Sequence, residues 1–83
     1  MVRTSKNNKR LRILGTHIKS LRRSQNISQA QLAFESKLTR LQIGRIERGE
    51  INCGITNLFD IADALDIDPK ELLNFKLTIK KSI

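Results

Sequence analysis

The chain reads as an all-α domain of short helices, and two observations point that way. Apolar residues recur at helical spacing along most of its length, and one four-residue opening signal occurs twice, eleven residues apart, at Ser28-Gln29-Ala30-Gln31 and Thr39-Arg40-Leu41-Gln42. In each signal a hydroxyl accepts from an orphan amide of the first helical turn, while Gln31 or Gln42 reaches back to the N–H of the cap residue. The apolar pairs Ile27/Leu32 and Leu38/Ile43 flank these caps as hydrophobic staples and fix how the chain enters each helix.

The elements follow in order. Met1 to about Lys9 is polar and basic and is expected to be a flexible arm. Helix 1 runs from about Arg10 to Gln25 on the stripe Leu14, Ile18 and Leu21, with His17 at its flank as a half-buried packing residue. Helix 2 covers about Gln29 to Ser36 and buries Leu32 and Ala33; helix 3 covers about Arg40 to Arg48 and buries Ile43 and Ile46, with Gly49 as a left-handed stop. Helix 4 turns Leu58, Ile61, Ala62 and Leu65 inward, with Asn52 as a possible cap. A third opening signal then starts a short helix 5: Asp68 as cap, Pro69 at the first helical position, Glu71 at the third, and Ile67/Leu72 as staple. From Phe75 onward, Phe75, Leu77 and Ile79 alternate with Lys76, Thr78 and Lys80, the period of a half-buried strand. Either two copies pair these tails across a dimer axis, or the alternation is chance and the tail packs loosely on helix 1 or frays.

Composition narrows what such a domain can do. With 83 residues the chain is long enough for one compact domain, and a deep substrate pocket is not expected. Its 16 Lys and Arg against 8 Asp and Glu give a net charge of +8, and no acid precedes Glu35. The leading stretch holds Arg3, Lys6, Lys9, Arg10, Arg12, Lys19, Arg22 and Arg23, so one end of the molecule should attract polyanions. Cys53 and His17 stand alone, which excludes an internal disulfide and a closed zinc site; no metal and no cofactor are expected. No apolar run has the length of a signal-peptide core or a membrane span, so a cytoplasmic, nucleoid-associated location is expected.

Because few residues separate helices 2 and 3, the two must cross steeply, the helix-turn-helix shape whose second helix can enter a DNA major groove. At about 100° per residue, Ile43 and Ile46 set the inward side of helix 3, leaving Leu41, Gly44, Arg45 and Arg48 on the outer face beside Arg40. Arg40 and Arg45 are the candidate base readers, since an arginine fork bonds guanine O6 and N7 together, and Leu41 could pack on a thymine methyl. Gly44 costs the helix about 1 kcal/mol relative to Ala, a cost explained by close approach to base edges or to a neighbouring protein helix. Gln29, Lys37, Gln42, Arg48, Asn52 and the basic arm are candidates for phosphate contact, which positions without specifying sequence.

These residues resemble the lambda repressor and Cro-like helix-turn-helix domains, the XRE family. The likeness covers about Leu14 to Leu73 and rests on Ile18-x-x-Leu21-Arg22, Ile27-Ser28-Gln29-x-x-Leu32-Ala33, Ile43-x-Arg45-Ile46-Glu47-Arg48-Gly49 and Leu58-x-x-Ile61-Ala62-x-Ala64-Leu65. It implies a five-helix all-α domain that binds pseudo-palindromic double-stranded DNA as a homodimer, with Gln29, Arg40, Leu41, Gln42, Gly44 and Arg45 at contact positions. It also implies a structural ion pair between Arg22 and Glu47. The sequence departs from the family at Lys37 and Asp66, where glycine is frequent, and at Cys53-Gly54, which replace a usual Pro-Ser. On the rival reading the same scaffold grips a protein partner, as antitoxins do, through its acidic later helices and Phe34, Phe59 and Phe75. An enzyme is the third class, and the acids Asp63, Asp66, Asp68 and Glu71 lack the spacing of a calcium loop.

Overall fold

The computed structural model describes residues 5–77. Four α-helices lead into one short 3-10 turn: α1 is Ser5–Ser24, α2 Gln29–Ser36, α3 Arg40–Glu47, α4 Ile55–Leu65, and the turn Pro69–Leu73. No strand occurs among the described residues. Ile18, Leu32, Ile43, Ile61, Leu65 and Leu72 form the centre, all fully buried, so every element contributes at least one side chain to a single core. Helix α3 packs between α1 and α2, and α4 closes the core against α2.

Helix α1 starts at Ser5, about five residues before the expected boundary. Nothing in Ser5-Lys6-Asn7-Asn8-Lys9 breaks a helix, and a helix already nucleated by its buried half propagates cheaply through such residues. The expected arm is therefore helical from Ser5, and residues 1–4 lie outside the described part.

The three opening signals do not close alike. Thr39 and Gln42 form the full reciprocal capping box, with Gln42 N–H on Thr39 Oγ1 at 3.0 Å and Thr39 N–H on Gln42 Oε1 at 2.8 Å. Ser28 accepts from Gln31 N–H at 3.0 Å, but the Gln31 amide turns forward to the Glu35 carboxylate at 3.2 Å, so this box is half made. At the third, Asp68 accepts from Lys70 N–H, one residue earlier than a box requires, and Glu71 N–H bonds the Asp68 carbonyl at 2.8 Å. That i→i+3 pattern makes the expected fifth helix a five-residue 3-10 turn. The tighter turn still buries Leu72, which serves the core as the helix would have. Asn52 does not cap α4; Gly54 holds that position without a side-chain bond.

The approach of α1 to α3 depends on Gly15. A Cβ there would sit 2.5 Å from the Glu47 carbonyl oxygen and closer still to that of Ile46, so only glycine lets the two backbones come this near. At the other end of the element order, His17 Nε2–H donates to the Glu71 carbonyl at 2.7 Å, and its ring lies 5.3 Å from that of Phe75. The start of the tail thus packs on α1, and the expected strand beyond it lies largely outside the described residues. Among the described residues no helix is long and apolar enough to cross a membrane.

Gly15→Ala should force α1 and α3 apart, because backbone rather than a flexible side chain meets the new methyl. A loss of about 1 to 3 kcal/mol in urea unfolding is expected, as for other overpacked contacts. Unchanged stability would mean that the helices do not approach this closely.

Candidate nucleic-acid interface

Helix α3 is fixed from behind by a buried ion pair. Arg22 on α1 donates from Nε to Glu47 Oε2 at 2.7 Å and from Nη2 to Oε1 at 3.0 Å, a two-pronged contact between side chains only 9% and 2% exposed. The remaining fork position, Nη1, donates to the Ile27 carbonyl at 2.7 Å, and Gln29 Nε2 donates to Glu47 Oε1 at 2.9 Å. No buried side-chain polar atom among the described residues lacks a partner, which is the condition for two enclosed charges to be tolerable. Gln29, expected to meet phosphate, thus spends one amide hydrogen tying the start of α2 to the end of α3.

With Ile43, Ile46 and Glu47 turned inward, the outer face of α3 presents Arg40, Leu41, Arg45 and Arg48 to solvent, Leu41 at 60% exposure. An apolar side chain that exposed on an eight-residue helix contributes nothing to the core; it is available to a ligand. Gln29, Arg40, Leu41, Gly44 and Arg48 line one open depression, whereas Arg45 lies outside it. Lys37 sits at the α2–α3 turn in left-handed conformation with φ of 61°, and its side chain is exposed. Gln42 is held in the capping box by its carbonyl oxygen, leaving its amide group outward of that bond. Asn52 is exposed beyond α3.

Gly44 differs from expectation, for it is buried rather than part of the exposed face. The atoms nearest to a Cβ built at Gly44 are those of the Arg48 guanidinium, with Nη1 at 3.1 Å, so that side chain lies back across the glycine and covers it. Helical projection could not show this, because it depends on where a long flexible arm comes to rest.

Glu50, to which sequence reasoning gave no role, holds that arm in place. Arg48 Nε and Nη2 donate to its two carboxylate oxygens at 2.8 and 3.1 Å, with both side chains about half exposed. The pair lowers the Glu50 carboxyl below its ordinary range, chiefly through the hydrogen bond from Arg48 and with Arg45 adding to the positive potential. The only signal in the sequence was two opposite charges two residues apart across Gly49. Burial pushes the Cys53 thiol up, which disfavours the reactive thiolate. No group of three or more potential metal ligands occurs among the described residues.

Two short helices joined by a three-residue turn, the second backed by a buried ion pair and turning a row of arginines outward, define with the family likeness a DNA-binding transcriptional regulator of the helix-turn-helix class. More particularly, the chain belongs to the HTH_3 helix-turn-helix family, whose profile matches residues 18–72. It is 44% identical over 70 residues to control protein C.BamHI of Bacillus amyloliquefaciens, an alignment covering 83% of this chain and 85% of that one. Control protein C.SmaI of Serratia marcescens is 41% identical over 61 residues, covering 74% of this chain and 73% of the other. Among solved structures, the restriction-modification controller protein C.AhdI from Aeromonas hydrophila superposes with a TM-score of 0.76 at 41% identity, over 77% of this chain and 97% of its own. These relatives do not favour the antitoxin reading. Of its three aromatic residues, Phe34 and Phe59 are exposed, but Phe75 is half-buried against His17.

Two outcomes follow from these ion pairs. Arg22→Lys should cost about 2 kcal/mol in urea unfolding, since an ammonium cannot serve two carboxylate oxygens and the Ile27 carbonyl in one plane. A change within error would show that the fork geometry is dispensable. For Glu50 the folded pKa is depressed, so its pairing persists above the ordinary carboxylate range and is lost as pH falls through the lowered value. Carbon-detected NMR should find Glu50 titrating below the ordinary carboxylate range, and Arg48→Ala should return it upward. Titration of Glu50 within the ordinary carboxylate range in the parent protein would mean the pair does not form in solution.

Proposed function

We propose that the protein regulates transcription by seating α3 in the major groove of a pseudo-palindromic operator, as a homodimer. The observation that carries this reading is the outer face of α3, where Arg40, Leu41 and Arg45 stand exposed on a helix whose back is locked by Arg22 and Glu47. Arg40 and Arg45 read base edges and Leu41 meets a thymine methyl. Gly44 leaves room for the groove wall once the Arg48 side chain has moved off it. Gln29, Lys37, Gln42, Arg48 and Asn52 meet the sugar-phosphate backbone on either side and set the register.

Support for two copies comes from α4, where Ile55 and Phe59 lie one turn apart and are 58% and 48% exposed. A second copy of the chain is the occupant that would cover them and would present two reading helices about 34 Å apart on one side of the duplex. Likeness to control proteins and to a restriction-modification controller supports the same regulatory task here, control of restriction-modification.

In vitro selection from random duplex should recover two related half-sites about one helical turn apart, and a footprint should span both. Repeated with Arg40→Ala and Arg45→Ala, selection should lose preference at particular base pairs, each worth about 1 to 3 kcal/mol. Equal weakening on every sequence would move those arginines to phosphate, and a footprint over one half-site would remove the dimer.

A further inference from the structure

All four helices stop in the same way. Asn26, Lys37, Gly49 and Asp66 adopt left-handed conformation, and the amide of the next residue bonds the carbonyl five positions back: Ile27 to Arg22 at 3.2 Å, Leu38 to Ala33 at 3.0 Å, Glu50 to Arg45 at 2.9 Å and Ile67 to Ala62 at 3.0 Å. In this motif the residue after the left-handed one commonly makes an apolar contact back to its helix. Ile27, Leu38 and Ile67 do so, each half-buried against the core. Glu50 is the exception, an exposed carboxylate at the end of the reading helix, in the place where its three counterparts are apolar.

Its backbone is held at the end of α3 by the bond from Glu50 N–H to the Arg45 carbonyl, which keeps the side chain within reach of Arg48. From there it grips Arg48 through both oxygens and keeps the guanidinium over Gly44, in the depression shared with Gln29, Arg40 and Leu41. Arg45 feels the same charge, for it contributes to the lowering of the Glu50 carboxyl.

We infer that Glu50 is a positioning residue for specificity, an internal stand-in for phosphate that withholds Arg48 from DNA until a phosphate arrives in the right place. The inference rests on the DNA-binding reading above. An exposed carboxylate–arginine pair exchanges readily, so a well-placed phosphate displaces it. On an ill-fitting duplex the exchange is incomplete, and the carboxylate repels nearby phosphates. Glu50 therefore subtracts more from non-specific binding than from specific binding.

The test compares parent protein, Glu50→Gln and Glu50→Asp on a selected operator and on random-sequence duplex across a range of salt. Glu50→Gln keeps the shape and the backbone bond but frees Arg48. Affinity for random duplex should rise about five- to tenfold at low salt, the slope of log K against log salt should steepen by about 1 there, and the operator-to-random ratio should fall. Glu50→Asp, which keeps the charge, should remain near the parent. In Arg48→Gln/Glu50→Gln the steeper slope should disappear, because Glu50 acts through Arg48. If the parent binds DNA and Glu50→Gln leaves both slope and ratio unchanged, the counter-ion role is overturned while the DNA reading stands. If the parent ignores every duplex at low salt, the DNA reading itself falls. Circular dichroism of each variant separates loss of fold from either outcome.

Discussion

The two-pronged contact between Arg22 and Glu47 sets the rotation of α3, and the identity of the outward face follows from that rotation. Burying a carboxylate and a guanidinium costs several kcal/mol per ion before pairing, and the pair is tolerated because each of its buried nitrogens and oxygens has a hydrogen-bond partner. Here Glu47 receives Arg22 twice and Gln29 once, and the spare arginine prong goes to Ile27. Rotating α3 by one residue, about 100°, would strand a charge inside and carry Leu41 off the outer face. Gly15 belongs to the same constraint, since without the close α1–α3 approach the fork could not span the gap at 2.7 Å.

The helix ends show the same economy with less comfort. A left-handed residue costs an ordinary side chain roughly 1 to 2 kcal/mol, and asparagine and aspartate tolerate it better than most. Asn26 and Asp66 suit their positions on that ground, whereas Lys37, with neither a short polar side chain nor glycine's freedom, carries the strain. It is offset locally by two backbone bonds, Lys37 N–H to Phe34 and Leu38 N–H to Ala33, and by the packing of Leu38 against the core. The lysine leaves a cation at the junction of α2 and α3, where a glycine would leave none.

How much of this could be read from the sequence depended on how local the deciding interaction was. The paired caps at Ser28 and Thr39 and the staples around them placed α2 and α3 correctly, since these involve neighbours a few residues apart. Resemblance to the family supplied the Arg22–Glu47 contact, which spacing alone could not give across 25 positions. Gly15 was visible as a small residue on the same helix face as Ile18 and Arg22, but its meaning required the path of α3. The fifth helix became a 3-10 turn because five residues between Pro69 and Leu73 leave little length for i→i+4 bonding. Burial of Gly44 was illegible for a different reason: it depends on the resting place of Arg48, itself decided by Glu50 beyond the helix.

Two arginine–glutamate pairs in one small domain therefore obey opposite rules because of where water is. Arg22 and Glu47 are enclosed, so opening them exposes an uncompensated charge to a medium that cannot solvate it, and they act as frame. Arg48 and Glu50 make nearly the same hydrogen bonds at nearly the same distances, but at half exposure water and salt compete for both partners at little cost. A regulator that must distinguish one duplex sequence from many needs both behaviours: a helix that does not turn, and surface charges that change partners without disturbing it. The division falls within α3 and its cap, at adjacent residues, with Glu47 facing the core and Arg48 facing out.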